Sequence, residues 1–247
     1  MSLQYQAIYL SPHLDDAALS CGGQIHARVM GGDAILIVTL MAGDPPPSTA
    51  SSIYIAELHE RWQLAANVAE QRRAEDAAAC RILGADHLHL PFPDCIYRGN
   101  PPFYQSDPDI FGVIHPHEKG TMVTALTEAM AQLPTAVQII APLTIGNHVD
   151  HQLTRLAAER AFGDDLLYYE EFPYVQESGA VAGIIGETDG WQPIIIPLNE
   201  ADQTAKVDSI AAFRSQLSTF FADRADIRRQ IGENGRLIGG ERLWKHN

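Results

Sequence analysis

Positive charge is scarce in this chain. Its 247 residues include 17 lysines and arginines against 31 aspartates and glutamates, which gives a formal net charge of −14 at pH 7. A surface of this sign repels nucleic-acid phosphates and anionic lipid headgroups, so we expect neither nucleic acid nor a membrane surface as a partner. No run of about 18 apolar residues is present, so we do not expect insertion into a membrane.

Cysteine is also sparse. The chain has three cysteines, an odd number, and none of them stands in a CxxC pair. Their number and spacing exclude a disulfide framework and argue against a zinc site built from thiolates. Residues 1–5 lack the basic region and the apolar core of a secretion signal. We therefore expect a cytoplasmic protein.

Apolar segments alternate with helical patterns over the first 170 residues. The predicted strands lie at 7–10, 34–40, 87–90, 137–143 and 166–172, and the predicted helices at 16–30, 55–83, 119–133 and 150–162. This alternation is typical of βαβ units. It predicts a Rossmann-like, doubly wound α/β fold, with a mostly parallel sheet and helices on both faces. We predict a single domain over residues 1–247, with a core at about 5–175 and a C-terminal extension at 176–247.

The remaining segments carry weaker patterns. Proline-rich stretches at 45–47 and 93–118 predict loops that shape a cleft. Glycines across 179–190 predict a loop or a short hairpin arm, and 199–221 reads as one amphipathic helix. The last 25 residues mix charge and glycine, which predicts light packing.

Histidine and aspartate cluster at the ends of two predicted strands. His13, Asp15 and Asp16 follow the first strand, and the stretch His148-Val149-Asp150-His151 follows a later one. Ligands of open α/β sheets bind beyond the carboxyl ends of the strands, so we expect both stretches to form one site. A catalytic zinc ion takes about three histidine or carboxylate ligands. We predict that His13, Asp16 and His151 bind zinc.

Three further side chains of these stretches have catalytic chemistry. Asp15 is placed to take a proton from water, as a general base does. His148 is placed to stabilise an oxyanion or to protonate a leaving amine, with Asp150 holding its other ring nitrogen. Together the residues predict metal-assisted hydrolysis of an amide or an ester.

The chain resembles the zinc-dependent de-N-acetylases of the PIG-L/LmbE type at these residues. The matching motifs are Pro12-His13-Leu14-Asp15-Asp16-Ala17, Cys21-Gly22-Gly23, the segment from Thr39 to Asp44, Arg72 with Glu75 and Leu83-Gly84, and His148-Val149-Asp150-His151. The resemblance covers roughly residues 5–175. It implies zinc as the cofactor, an N-acetylated amino sugar or its conjugate as the small-molecule substrate, and the site roles given above. It further implies that Arg72 and Asp94 contact sugar hydroxyls.

The sequence departs from the family pattern at three positions. Leu14 stands where the family has proline, and Ala17 where it has glutamate; neither residue is an expected ligand. Gly146 stands where some members carry a tyrosine that assists the oxyanion. A tyrosine with that role would come from elsewhere in this chain, and Tyr168 and Tyr169 are candidates.

Other interpretations stay open at this point. Asp15 or Asp16 can simply cap a helix, Arg72 can pair with Glu75 on a solvated face, and Asp94 is a common turn residue. The stretch His115-Pro116-His117-Glu118 is a rival metal cluster. The same site would also serve an amidase acting on a thiol-sugar, lipid-linked or antibiotic-like amide, or a sugar- or metal-binding protein without catalysis. The sequence is compatible with a homo-oligomer.

Overall fold

A computed structural model describes residues 4–49, 52–62, 67–186 and 190–247 of the chain. The elements in order are β1 (Tyr5–Ser11), α1 (Asp16–Met30), β2 (Ile35–Thr39), α2 (Ile53–Arg61), α3 (Val68–Leu83), β3 (Asp86–His89), α4 (Asp107–Ile110), α5 (Pro116–Met130), β4 (Ala136–Pro142), α6 (Val149–Phe162), β5 (Leu166–Tyr169), α7 (Ala180–Ile185), β6 (Trp191–Ile196), α8 (Glu200–Ala211), α9 (Arg214–Phe220), α10 (Arg224–Ile238) and β7 (Glu241–His246).

The strands form one mixed sheet in the order β3-β2-β1-β4-β5-β7-β6. The first five strands in this order are parallel, and β7 runs antiparallel to both β5 and β6. The predicted α/β fold with a mostly parallel sheet is thus confirmed. From β1 the chain winds outwards through β2 and β3, and it then returns to β4 on the other side of β1. This reversal is a topological switch point, where open α/β sheets hold their ligands.

Helices cover both faces of the sheet. The helices α1, α3 and α8 pack on one face, where buried residues such as Ile25, Leu83 and Ala205 meet strand residues. The helices α5 and α6 pack together on the opposite face, around Leu126 and Leu153. The central strands are apolar because both of their faces are buried. No helix within the described residues has the length and apolar character needed to cross a bilayer.

The helical and C-terminal predictions need correction in four places. The predicted helix at 55–83 is two helices, α2 and α3; residues 63–66 lie outside the described part of the chain. The segment 199–221 is also two helices, with the break at Phe213. The expected loop at 179–190 contains α7, and residues 187–189 of it are not described. The last 25 residues, which were expected to pack lightly, include β7 inside the sheet, with Leu243 and Trp244 buried.

The glycine pair of α1 allows close packing of the C-terminal elements. A Cβ atom on Gly22 would lie 3.1 Å from Lys206 Cγ of α8, and one on Gly23 would lie 2.4 Å from Leu198 Cδ1 and 3.0 Å from Glu241 Oε1. The Glu241 carboxylate accepts the Gly23 and Gln24 N–H groups and pairs with Lys206 Nζ at 2.6 Å. This buried ion pair joins α8 and β7 to α1.

We expect Gly23→Val to destabilise the protein. The added atoms would push Leu198 and the Glu241 carboxylate out of place, and overpacking of this kind costs about 1–3 kcal/mol. Gly120→Val is the matched control, because Gly120 lies in α5 with nothing within 4 Å of its Cβ position. Urea titration should show a lower free energy of unfolding for the first variant only. Equal stability of the two variants would contradict the packing role.

Candidate metal centre and active site

The two histidine–aspartate stretches, residues 12–17 (the first motif) and 148–151 (the second motif), each follow a strand. The first motif turns sharply between β1 and α1. The Ser11 hydroxyl donates to the His13 carbonyl and accepts the Ala17 N–H, which closes the turn. Asp15, the N-cap of α1, has φ 151°, in the region that favours glycine. Strain of this kind persists where the surrounding structure fixes a functional side chain. The turn thus holds three polar side chains at the carboxyl end of the central strand.

One carboxylate oxygen joins the two motifs. Asp16 Oδ2 lies 3.3 Å from His13 Nδ1 and 3.3 Å from His151 Nε2. All three side chains are nearly inaccessible to solvent. Burial opposes the ionisation of Asp16, but His151 and His13 outweigh it and hold the pKa of the carboxyl well below its usual range. The predicted ligands from β1 and β4 therefore do come together.

Two of the three distances between the predicted donor atoms fit a zinc ion. Tetrahedral zinc with bonds of about 2.0–2.1 Å to nitrogen and oxygen holds its ligand atoms about 3.3 Å apart. The two distances from Asp16 Oδ2 match this value, and two imidazoles with one carboxylate are a usual ligand set of catalytic zinc. A second grouping shares two of these residues, because donor atoms of His13, His148 and His151 lie within 4.8 Å of one another. Of the two, only the histidine grouping has all its donor atoms within that distance, so His13 and His151 would have to move closer together around Asp16 on binding zinc.

The structure corrects the expected partner of His148. We predicted that the Asp150 carboxylate would hold the second nitrogen of the His148 ring. Instead the backbone N–H of Asp150 donates to His148 Nδ1 at 3.2 Å, because His148 is the N-cap of α6 and its ring folds back on the first turn. The Asp150 carboxylate points to the other motif, where Oδ2 lies 3.1 Å from His13 Nε2.

This arrangement fixes the chemistry that His148 offers. Burial lowers the pKa of its ring well below the usual value, and the neighbouring His13 and His151 lower it further. The neutral ring accepts a hydrogen bond at Nδ1, so its own proton is assigned to Nε2. His148 also lines the cleft, which makes it a neutral hydrogen-bond donor there.

Glu171 is a site residue that our sequence analysis missed. It is fully buried, and Oε1 lies 3.2 Å from His151 Nδ1. Both carboxylate oxygens also accept backbone N–H groups, from Thr144 at 2.6 Å and Ile145 at 3.1 Å. A carboxylate on the second nitrogen of a ligand histidine fixes the orientation of the ring. The sequence held a signal, since Glu171 follows an apolar strand whose carboxyl end lies at the same sheet edge.

Asp15 and Arg72 face each other beside the three predicted ligands. Arg72 Nη2 lies 3.7 Å from Asp15 Oδ2 and 3.4 Å from the Leu14 carbonyl, and its guanidinium lies over the Trp62 ring. Burial and the neighbouring charge of Asp16 raise the pKa of Asp15 to about 7, although the positive charge of Arg72 acts to lower it. Arg72 is buried and does not form the solvated pair with Glu75, which instead binds Ser215.

A cleft of about 180 Å³ opens above these residues. Asp94 lies at its wall. One oxygen of its carboxylate lies 3.9 Å from His13 Nε2, and the other accepts the Ile96 N–H. The cleft is also lined by apolar and aromatic side chains, among them Leu19, Tyr54, Trp62, Phe111, Tyr174 and Phe220. All eight predicted site residues except Asp150 line this cleft; Asp150 is fully buried beneath it.

A tyrosine occupies the space that Gly146 leaves. Gly146 has φ +85°, and a Cβ atom there would lie 2.5 Å from the Tyr174 ring. Tyr174 contacts the His151 and Phe111 rings and lines the cleft. The two tyrosines that we considered point elsewhere: Tyr168 donates to Glu159, and Tyr169 donates to the Leu10 carbonyl.

The rival metal cluster does not assemble. Glu118 turns inwards and pairs with Arg98, while His115 stacks on Phe103. Pro116 begins helix α5, so the residues of the stretch point in different directions. Among the described residues, the groups whose donor atoms converge within 4.8 Å all lie at the two motifs and the adjoining Asp94 and Cys95.

The profile of the PIG-L family, described as GlcNAc-PI de-N-acetylase, matches residues 8–162. This match spans more than half of the chain and contains both motifs. The chain belongs to the PIG-L family. The family is described as one of de-N-acetylases, which are amide hydrolases, and this agrees with the predicted reaction class.

Two curated relatives of this PIG-L protein carry the same name. The chain is 26% identical over 254 residues to 2′-N-acetylparomamine deacetylase of Niallia circulans, covering 96% of this chain and 89% of that one. It is 31% identical over 183 residues to 2′-N-acetylparomamine deacetylase of Streptomyces fradiae, covering 71% and 60% of the two chains.

Solved structures share the fold over nearly the whole chain. A deacetylase of teicoplanin biosynthesis superposes with a TM-score of 0.81 at 24% identity, covering 98% of this chain and 97% of that one. The deacetylase of the antimicrobial A40926 pseudoaglycone superposes with a TM-score of 0.74 at 27% identity, covering 98% and 96%. The similarity therefore extends beyond the family match into the C-terminal elements.

We expect Asp15→Ala to lower kcat by roughly 10²–10⁴-fold, the usual contribution of a general base. The zinc content should stay at the wild-type level, because Asp15 faces Arg72 and lies outside the three-atom arrangement around Asp16 Oδ2. Asp16→Ala is the paired variant and should lose the metal. Acetate release and metal analysis on the same samples would check both. Loss of zinc from the Asp15 variant would make that residue a ligand instead.

Proposed function

We propose that this protein uses zinc, held by His13, Asp16 and His151, to remove an N-acetyl group from an amino sugar within a larger conjugate. One observation carries the proposal. Asp16 Oδ2 lies 3.3 Å from a nitrogen of each of the two histidines, and it does so at the floor of a cleft that also contains Asp15. The residues that would hold a water-activating metal and a base that can accept the proton are thus side by side.

Zinc and the protein's own side chains have separate roles in the proposed reaction. When bound, zinc supplies a Lewis acid that polarises the acyl oxygen and makes water a better nucleophile at neutral pH. Asp15 accepts the proton of the attacking water, and Arg72 holds the carboxylate in place by its charge. That proton, or the one on His148, is available to the leaving amine. Hydrolysis of the amide then yields acetate and the free amino sugar.

His148 serves the oxygen of the tetrahedral intermediate. Its ring is fixed by the Asp150 N–H at Nδ1, which leaves the Nε2 proton to donate. A neutral donor that is already oriented stabilises a developing oxyanion without reorganisation. The ring's contacts with Phe111 and His13 restrict its rotation further.

The cleft supports an amino-sugar conjugate as the substrate. Tyr54 and Phe220 give the cleft aromatic surfaces on which sugar rings can pack, and Asp94 and Asp107 add carboxylates to its lining. With a net charge of −14, the protein attracts a substrate that keeps other amino groups free and protonated. The names of both curated relatives, acting on 2′-N-acetylparomamine, agree with a substrate of this kind.

We would test the proposal by acetate release from a panel of N-acetylated compounds. The panel contains 2′-N-acetylparomamine, free N-acetylglucosamine, N,N′-diacetylchitobiose and an N-acetylated glycopeptide pseudoaglycone. We expect release by the zinc-loaded protein, none after chelation, and the highest kcat/KM with the aminoglycoside precursor, whose free amines match the acidic cleft.

The Asp15→Ala variant with bound zinc serves as the control for contaminating deacetylases. Release that is independent of metal would contradict zinc chemistry. Equal kcat/KM for neutral and cationic substrates would contradict the proposed substrate class but leave the reaction itself supported. A zinc-loaded protein that releases no acetate from any member would contradict the deacetylase assignment.

A further inference from the structure

The buried Asp150 carboxylate links the first motif to the proline-rich segment. Asp150 is completely inaccessible to solvent. Its Oδ2 lies 3.1 Å from His13 Nε2 and accepts the Cys95 N–H at 3.0 Å, and its Oδ1 lies 2.6 Å from Arg98 Nη2. A single carboxylate therefore contacts a proposed metal ligand on one side and a guanidinium group on the other.

Arg98 is itself held by a second buried carboxylate. Only 4% of Arg98 is exposed, and its Nε lies 2.5 Å from Glu118 Oε1 while Nη2 donates to Glu118 Oε2 at 3.2 Å. The Pro93 carbonyl accepts from Nη1 at 3.1 Å. Glu118 also accepts the Tyr104 hydroxyl at 2.7 Å. The guanidinium thus joins both ends of the segment 93–118 to Asp150.

The two ligand histidines are oriented by different means. Glu171, which contacts His151 Nδ1, accepts two backbone N–H groups of the loop after β4. Asp150, which contacts His13 Nε2, accepts one backbone N–H and is otherwise paired with the side chain of Arg98. A buried carboxylate without its cation is costly and tends to shift or to take up a proton. The orientation of His13 therefore depends on Arg98.

We propose that Arg98 is a positioning residue for the metal centre: together with Glu118 it fixes Asp150, and Asp150 fixes the His13 ring for metal binding. The inference rests on the proposed zinc site, but it concerns residues that touch neither zinc nor substrate. It gives the proline-rich segment a role beyond shaping the cleft, because that segment supplies both Arg98 and its partner.

The test is the affinity for zinc, measured by competition with a chromophoric chelator. Loss of a group that orients a metal ligand typically weakens metal binding 10–100-fold. We expect Arg98→Met to raise the Kd for zinc by a factor in that range. Arg98→Lys, which keeps the charge but not the bidentate fork, should lie in between. Tyr104→Phe should have the smallest effect, because the Tyr104 hydroxyl contacts Glu118 and not Asp150.

Lys206→Met provides the matched control, because it breaks another buried ion pair, Lys206 with Glu241, on the far side of α1. It should lower the free energy of unfolding without changing the Kd for zinc.

A folded Arg98→Met or Arg98→Lys protein with wild-type zinc affinity would overturn the inference, as would an equal loss of affinity in the Lys206 control. A wild-type protein that binds no zinc would overturn the metal centre and the inference together, whereas failed acetate release with intact zinc binding would affect the proposed function alone.

Discussion

An excess of buried negative charge governs this site. Within the described residues around the two motifs, the carboxylates of Asp15, Asp16, Asp150 and Glu171 are all buried, and two guanidinium groups, those of Arg72 and Arg98, lie against them. Buried charges are stable only when they are paired. Without a metal, His13 and His151 supply the balancing positive charge, because the neighbouring carboxylates raise the pKa of both rings. A divalent cation beside Asp16 Oδ2 would take over that role. Metal binding and the stability of the site are therefore two aspects of one charge balance.

The fold makes this concentration of charge possible because neighbouring parallel strands end at the same edge of the sheet. β1 and β4 are neighbours, so the turns that follow them carry the two motifs to the same point. Glu171 comes from the end of β5, the next strand along. Other segments add what the strands do not supply. Arg98 comes from the irregular stretch before α4, Glu118 from the first turn of α5, and Tyr174 fills the space beside Gly146. The strand ends thus supply the proposed ligands, whereas connecting segments, which vary more between related proteins, supply part of their support.

The sequence predicts the centre of the site better than its surroundings, for physical reasons. Consecutive parallel strands place their carboxyl ends at one edge, so His13, Asp16 and His151 were expected to meet. The partner of Asp150 was predicted wrongly, because the direction of a side chain in the first turn of α6 depends on the N-cap, which spacing does not reveal. Arg98 had no signal, since an irregular stretch has no period that marks buried positions, and Glu118 precedes the predicted start of its helix at 119. The place of β7 was missed because its pairing partners are far away in the sequence.

The most direct test of this account is a crystal structure of the zinc-loaded protein with anomalous diffraction measured at the zinc edge. The account predicts an anomalous peak at roughly 2.0–2.2 Å from His13 Nδ1, Asp16 Oδ2 and His151 Nε2, with Asp15 and His148 at longer distances. A peak bonded to His148 in place of Asp16 would contradict it, because His148 would then be a ligand and not a donor to the substrate oxygen.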